Sequence, residues 1–149
     1  MKRILVHTHI YYEFLYPELK SCLLNLSDLD CDYFFTLVEN NSNLIDDIKK
    51  TFPNSKVEVV KNLGFDLGPF VHVLNEVNLK DYSYVIKLHT KRDIPTRESF
   101  AWFAGSRWRN ALLKFIKDKE TFNKVLNRLE CNKSIGMHGA NISTFNKRC

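Results

Sequence analysis

The sequence predicts an α/β protein in which a mostly parallel sheet carries helices on both faces. Three observations lead there. Apolar, β-branched runs alternate with runs of helical spacing, in the order β-α-β-α-β-α-β from Arg3 to Leu88. The connections between these runs are short. The run Asp32 to Val38 is apolar almost throughout, as expected of a strand buried on both faces. With 149 residues, 44% of them hydrophobic, the chain is expected to form one domain, residues 1–149, around a single core.

The elements follow in order. Arg3 to Ile10 alternates and is β-branched, so it reads as the first strand. Strand alternation puts His7 and His9 on one face. With no third ligand nearby, lining or packing at the strand's C-terminal end is favoured over a metal site. A helix follows from Tyr11, with Leu15, Leu19, Leu23 and Leu26 on one stripe. Asp32–Val38 is the second strand. Asn40 to Asn43 is a loop with Asn43 as helix cap, and Leu44, Ile45, Ile48 and Phe52 keep helical spacing until Pro53-Asn54. Val57–Val60 is the third strand, Val71–Leu79 a helix, and Tyr84–Leu88 the fourth strand. Beyond these, Phe100 to Gly105 is an aromatic stretch that covers a cleft or packs. Arg107 opens a helix with Leu112, Leu113, Phe115 and Ile116 inward. Asp118 caps another, with Phe122, Val125, Leu126 and Leu129 inward, and Ser134–Gly139 is a candidate last strand and turn. Residues 141–149 form an irregular tail. The chain has no internal repeat and no low-complexity segment.

Two segments at strand ends carry the chemistry. Asn62-Leu63-Gly64-Phe65-Asp66-Leu67-Gly68-Pro69-Phe70 joins the third strand to its helix. Gly64 and Gly68 allow positive φ or the close approach of a ligand. Pro69 suits the first helical position, with Asp66 or Gly68 near the cap. Backbone N–H groups at such a turn suit an anion, and a capped turn without a ligand is the alternative. His89-Thr90-Lys91-Arg92-Asp93 follows the fourth strand. Its cations could neutralise a diphosphate, with Thr90 and His89 as hydrogen-bond partners and His89 as acid or base. A solvated basic loop is the alternative there. Asp66 and Asp93 are the best-placed carboxylates for hydroxyl recognition or proton abstraction, and both also suit turns or caps. Ligands of parallel sheets bind beyond the carboxyl ends of strands, so both segments could line one cleft.

Other classes are excluded or left open by composition. The chain has no phosphate-loop lysine motif, no nucleophile elbow and no G-x-G-x-x-G. Cys22, Cys31, Cys131 and Cys149 form no C-x-x-C pair, which argues against zinc and for reduced thiols. The N-terminus lacks a cleavage site and no run is long enough to span a membrane, so a cytoplasmic protein is expected. The net charge of +5 suits phosphates, nucleic acid or an anionic membrane surface and is too small to choose among them.

Asn62-x-Gly64-x-Asp66-x-Gly68-Pro69-Phe70, followed by Tyr82-x-Tyr84-Val85-Ile86-Lys87-Leu88-His89-Thr90-Lys91, resembles the rhamnan synthesis protein F family. Trp108-Arg109 and Ile135-Gly136-Met137 fit its later pattern, so the resemblance covers roughly residues 1–140. It implies a GT-A-like, nucleotide-sugar-binding three-layer sandwich. The activity implied is transfer of a sugar from a donor such as dTDP-rhamnose to a polysaccharide or lipopolysaccharide acceptor. Donor and phosphate contacts would fall to Asn62, Gly64, Asp66, Gly68, His89, Thr90, Lys91 and Arg109, and base catalysis to Asp66, Asp93 or His89. GT-A enzymes often bind magnesium or manganese through Asp-x-Asp. That position reads His89-Thr90-Lys91 here, so no metal ligands are assigned and Lys91 becomes the expected counter-charge. Phe65 stands where the family usually has arginine. A full GT-A enzyme continues past Gly139, which leaves a donor-binding half, a degenerate paralogue or a truncated product as readings of the chain. The implied partners are a nucleotide sugar and a glycan or lipid-linked glycan, with peripheral association at the inner face of the cell membrane and no nucleic acid. The alternative is a non-catalytic nucleotide- or carbohydrate-binding module of a polysaccharide-synthesis assembly.

Overall fold

The computed structural model describes residues 3–93, 95 and 105–139. The aromatic stretch at 100–104 and the tail at 141–149 lie outside the described residues. The chain divides into two compact units. Residues Met1–Leu19 and Ser27–Thr90 form the sheet unit, and Lys20–Leu26 with Lys91–Cys149 form a helical unit.

The sheet unit holds β1 (Ile4–Ile10), α1 (Tyr16–Leu23, whose last turn belongs to the helical unit), β2 (Cys31–Leu37), α2 (Ser42–Thr51), β3 (Lys56–Val59), α3 (Leu67–Glu76) and β4 (Tyr84–His89). The strands lie in the order β3-β2-β1-β4 and every pair is parallel. The first two crossovers step one way from β1, and the third returns past it to β4. Because such crossovers share one hand, this reversal sends α3 to the face opposite α1 and α2.

Side-chain contacts agree with that division. Phe35 is fully buried and meets the rings of Tyr16, before α1's second turn, and Phe52, at the end of α2. On the opposite face Leu5 and Phe34 form a core with Val73 of α3, flanked by Leu74, Val77 and Tyr82. The α/β architecture with helices on both faces of a parallel sheet is therefore as the sequence predicts. All four strands start and stop within one residue of their expected bounds.

Helix starts differ more. The cap of α2 is Asn41, whose side-chain oxygen accepts from the Leu44 amide at 3.2 Å; Asn43 lies in the first turn. Helix α3 starts at Leu67, four residues before Val71, which makes Pro69 its third residue. Proline is tolerated there because the first four amides of a helix have no intrahelical acceptor. The Leu67 and Gly68 amides instead both donate to the Gly64 carbonyl at 3.1 Å.

The helical unit contains α4 (Arg107–Leu113), a short 3-10 turn (Lys114–Ile116) and α5 (Lys119–Cys131). Leu113, Ile116, Phe122 and Val125 are buried. Asn25 holds the Lys20–Leu26 segment by donating to the carbonyls of Ile116 and Lys117 at 3.0 and 2.9 Å. Asp118 caps α5 as expected, accepting from the Thr121 amide at 2.7 Å. Ser134–Gly139 is not a strand. Asn132 accepts from the Ser134 amide and hydroxyl, turning the chain where a strand would need it extended.

Candidate functional site

Register builds the site. On β1, Leu5, His7 and His9 share the face under α3, because strand side chains alternate. Thr36 of β2 lies opposite His9 of β1 and Glu58 of β3, and His9 lies opposite His89 of β4. A row Glu58-Thr36-His9-His89 thus crosses the C-terminal end of the sheet, with His7 and Lys87 paired one step behind it. The sheet face that is apolar at Leu5 and Phe34 turns polar where the strands end. It does so around β1, whose neighbours β2 and β4 mark the reversal of strand order, the place where open α/β sheets bind ligands.

The buried part of this row is joined through one hydroxyl. Thr36 Oγ1 lies 2.9 Å from His7 Nε2 and 3.0 Å from His9 Nδ1. All three residues are buried. His7 also stacks on Phe70 of α3 at 5.7 Å between ring centroids, and its Nδ1 is a buried atom with no hydrogen-bond partner. Burial, followed by the charges of His9 and Lys87, pushes the His7 pKa down to about 3. Burial also lowers that of His9. Both rings are neutral at physiological pH.

Toward solvent the row becomes ionic. Lys87 donates to Asp66 Oδ2, and His89 Nδ1 lies 3.5 Å from the same oxygen. Burial alone would raise the Asp66 pKa. The Lys87 hydrogen bond and the charges of His89 and Lys87 outweigh it, so the carboxylate is held below its ordinary range. This is why Asp66, although it precedes α3, makes no side-chain cap bond to the helix. At the other end of the row Glu58 accepts from His72 of α3 at 2.6 Å and pairs with Lys56 at 2.7 Å.

The turn that carries Asp66 depends on its glycines. Gly64 sits at φ +74°, and a Cβ on Gly68 would stand 1.9 Å from the Leu63 carbonyl oxygen. Phe65 is held at φ +54° with its side chain 85% exposed, a strained placement for a bulky residue. A cavity of about 510 Å³ lies along the β3 side of the turn, lined by Lys61, Leu63, Gly68, Pro69, Glu58 and His72 among others.

The residues nominated from sequence fall in both units. Asp66 and His89 are brought together; Asn62, Gly64 and Gly68 belong to the turn, with Asn62 exposed. Thr90 is buried, and its hydroxyl accepts from the Tyr11 and Tyr12 amides at 2.9 Å each. With both lone pairs engaged it shapes the β1–α1 connection and has only its proton to offer a ligand. Lys91, Asp93 and Arg109 belong to the helical unit. There Arg109 donates to Asp93 and to the Lys91 carbonyl, bracing that segment, while Arg107 is exposed.

Sequence reading missed Lys87, Thr36, Glu58, His72 and Phe70 as partners in this cluster. A signal existed for Lys87: with His89 it repeats the i, i+2 spacing of His7 and His9. A hard divalent ion prefers several carboxylate oxygens. Among the described residues the one carboxylate at the β1/β4 end, Asp66, is already paired with the Lys87 ammonium, so that donor set does not fit magnesium or manganese. Among the described residues no group of three or more His, Cys, Asp or Glu is arranged to hold a metal.

A family model described as rhamnan synthesis protein F matches residues 1–148. The chain is also similar to an uncharacterized protein WxcX of Xanthomonas campestris pv. campestris (strain B100), with 26% identity over 83 residues, or 56% of this chain. The match spans 11% of that protein's length. No solved structure matches the chain.

Proposed function

The chain belongs to the rhamnan synthesis protein F family, which ties it to polysaccharide synthesis, and from that premise we propose a glycosyltransferase-like protein that binds a nucleotide sugar. The sugar is dTDP-rhamnose or a close relative, and the acceptor a glycan or lipid-linked glycan. One observation carries the reading: Asp66 is set between Lys87 and His89 under a glycine turn, at the reversal of strand order. There the Lys87 ammonium would meet an anionic donor, while the turn's Leu63, Leu67 and Gly68 amides already donate to backbone carbonyls. His89 has Nδ1 3.5 Å from Asp66, and in its neutral form with the proton on Nδ1 it would leave Nε2 to take the acceptor hydroxyl's proton. Lys91 is the proposed counter-charge for the departing diphosphate. Work on lipid-linked acceptors would place the protein at the inner face of the cell membrane by peripheral association. No described helix is long and apolar enough to cross a membrane.

A second reading, binding without turnover, is favoured by one feature. Both nominated carboxylates already carry a cation, Asp66 with Lys87 and Asp93 with Arg109, and such pairing weakens a base. Thermal-shift titration against dTDP-rhamnose, UDP-sugars and free nucleoside diphosphates tests binding. At a hundredfold excess over Kd a ligand adds about 2.7 kcal/mol of stability. The expected shift shrinks in Lys87→Gln and in Lys91→Ala, with or without manganese. If no nucleotide raises the melting temperature, both readings fail. A shift without sugar release or transfer selects the non-catalytic one.

A further inference from the structure

We propose that the helical unit carries a second, separate site that binds a phosphate group attached to an apolar moiety. A cavity of about 460 Å³, the size of a small-ligand pocket, lies between two stripes of helical spacing. Ala111, Lys114 and Phe115 form one wall, at intervals of three and four residues. Thr121, Lys124, Val125 and Arg128 form the other at the same intervals along α5, and His138 and Gly139 close it. His138 reaches Phe115, with ring centroids 6.4 Å apart. Each wall therefore presents an apolar floor, Phe115 or Val125, beside cations.

Charge is what marks the pocket. Lys124 and Arg128, one turn apart on a helix face, repel each other. Lys124 pairs with Glu120 at 2.5 Å, and the Thr121 hydroxyl donates to Asp118 at 3.0 Å. Lys114 and Arg128 have no carboxylate partner among the described residues. Two unmatched cations facing one cavity, with a hydroxyl and an imidazole on its rim, suit the several acceptor oxygens of a phosphate or diphosphate. The apolar floor suits a chain or ring beyond it. Such a ligand is either a prenyl-type lipid phosphate or a nucleotide. The site stands whether or not the sheet unit binds a donor, because it shares no residue with it.

Isothermal titration of the full chain with farnesyl diphosphate, dTDP and inorganic pyrophosphate tests the proposal, using wild type and Lys114→Gln/Arg128→Gln. Both side chains are exposed, so the double variant is expected to melt with wild type. Farnesyl diphosphate binding weakens about tenfold or more in that variant, as expected for losing two charge-assisted contacts. If dTDP displaces farnesyl diphosphate the natural ligand is a nucleotide; if it does not, a lipid phosphate. Either result supports the site. Pyrophosphate binding as tightly as farnesyl diphosphate would overturn the apolar half of the proposal. No saturable binding of either organic phosphate, or binding indifferent to the double substitution, would overturn all of it.

Discussion

The sheet unit carries eight Lys and Arg against twelve Asp and Glu, whereas the helical unit carries fourteen against five. The difference extends to how each charge is placed. In the sheet unit the polar groups near strand ends, His7 Nδ1 apart, have partners: Lys87 with Asp66, Glu58 with His72 and Lys56, His7 and His9 with Thr36. In the helical unit Lys114 and Arg128 line a cavity with no carboxylate partner among the described residues. A matched, partly buried set holds side chains in one geometry, and its removal costs stability. Unmatched exposed cations add little stability and project a field outward. The first arrangement suits orientation of a reacting group, the second capture of an anion.

The largest expected break in this comparison comes from glycine. Gly68→Ala puts a Cβ into the Leu63 carbonyl and should destabilise the sheet unit by about 3 kcal/mol in urea denaturation. Gly136→Ala in the helical unit meets nothing within 4 Å and should be neutral. Equal costs would show that the turn is not the rigid element.

Protonation comes next. The folded His7 pKa of about 3 lies below the ordinary 6.5, so below pH 6.5 the unfolded chain binds a proton that the folded one refuses. Stability is complete above that pH and falls as pH drops from 6.5 toward 3. From pH 7 to pH 5 the loss from His7 is about 2 kcal/mol. His7→Gln should flatten that part of the pH profile, measured by denaturation at a series of pH values. An unchanged slope would place the titration elsewhere.

A smaller contrast separates the two kinds of charge. Asp66→Asn leaves the Lys87 ammonium, 24% exposed, without its carboxylate and should cost about 1–3 kcal/mol. Lys124→Gln breaks a pair whose side chains are 73% and 79% exposed, and should change stability by less than about 0.5 kcal/mol. The smallest effect is a gain. Phe65→Asn relieves a left-handed phenylalanine that buries almost nothing, and should raise stability by about 0.5–1 kcal/mol. A loss in its place would mean that the exposed ring makes contacts the folded chain needs.

The strands were legible because their signal is local. Ile4–Ile10, Cys31–Leu37 and Tyr84–His89 are dense in β-branched and aromatic residues, and burial selects such residues whatever their neighbours. The start of α3 was not legible. The Gly64 carbonyl captures the Leu67 and Gly68 amides, and the Asp66 carboxylate that would suit a cap is drawn to Lys87 instead. Ser134–Gly139 misled for a related reason, since the Asn132 side chain turns the chain before any strand can form.

The sequence by itself determined the alternation of strands and helices, the glycine turn and the position of histidines at two strand ends, all consequences of short-range spacing and propensity. Only the tertiary structure decided that Glu58, Thr36, His9 and His89 form one row. Residues from four strands meet there because parallel register aligns the strand ends. It also decided that the Asp66 side chain, from the N-cap position of α3, pairs with Lys87 and makes no bond to the helix, because Lys87 approaches it across the sheet from twenty-one residues away in sequence.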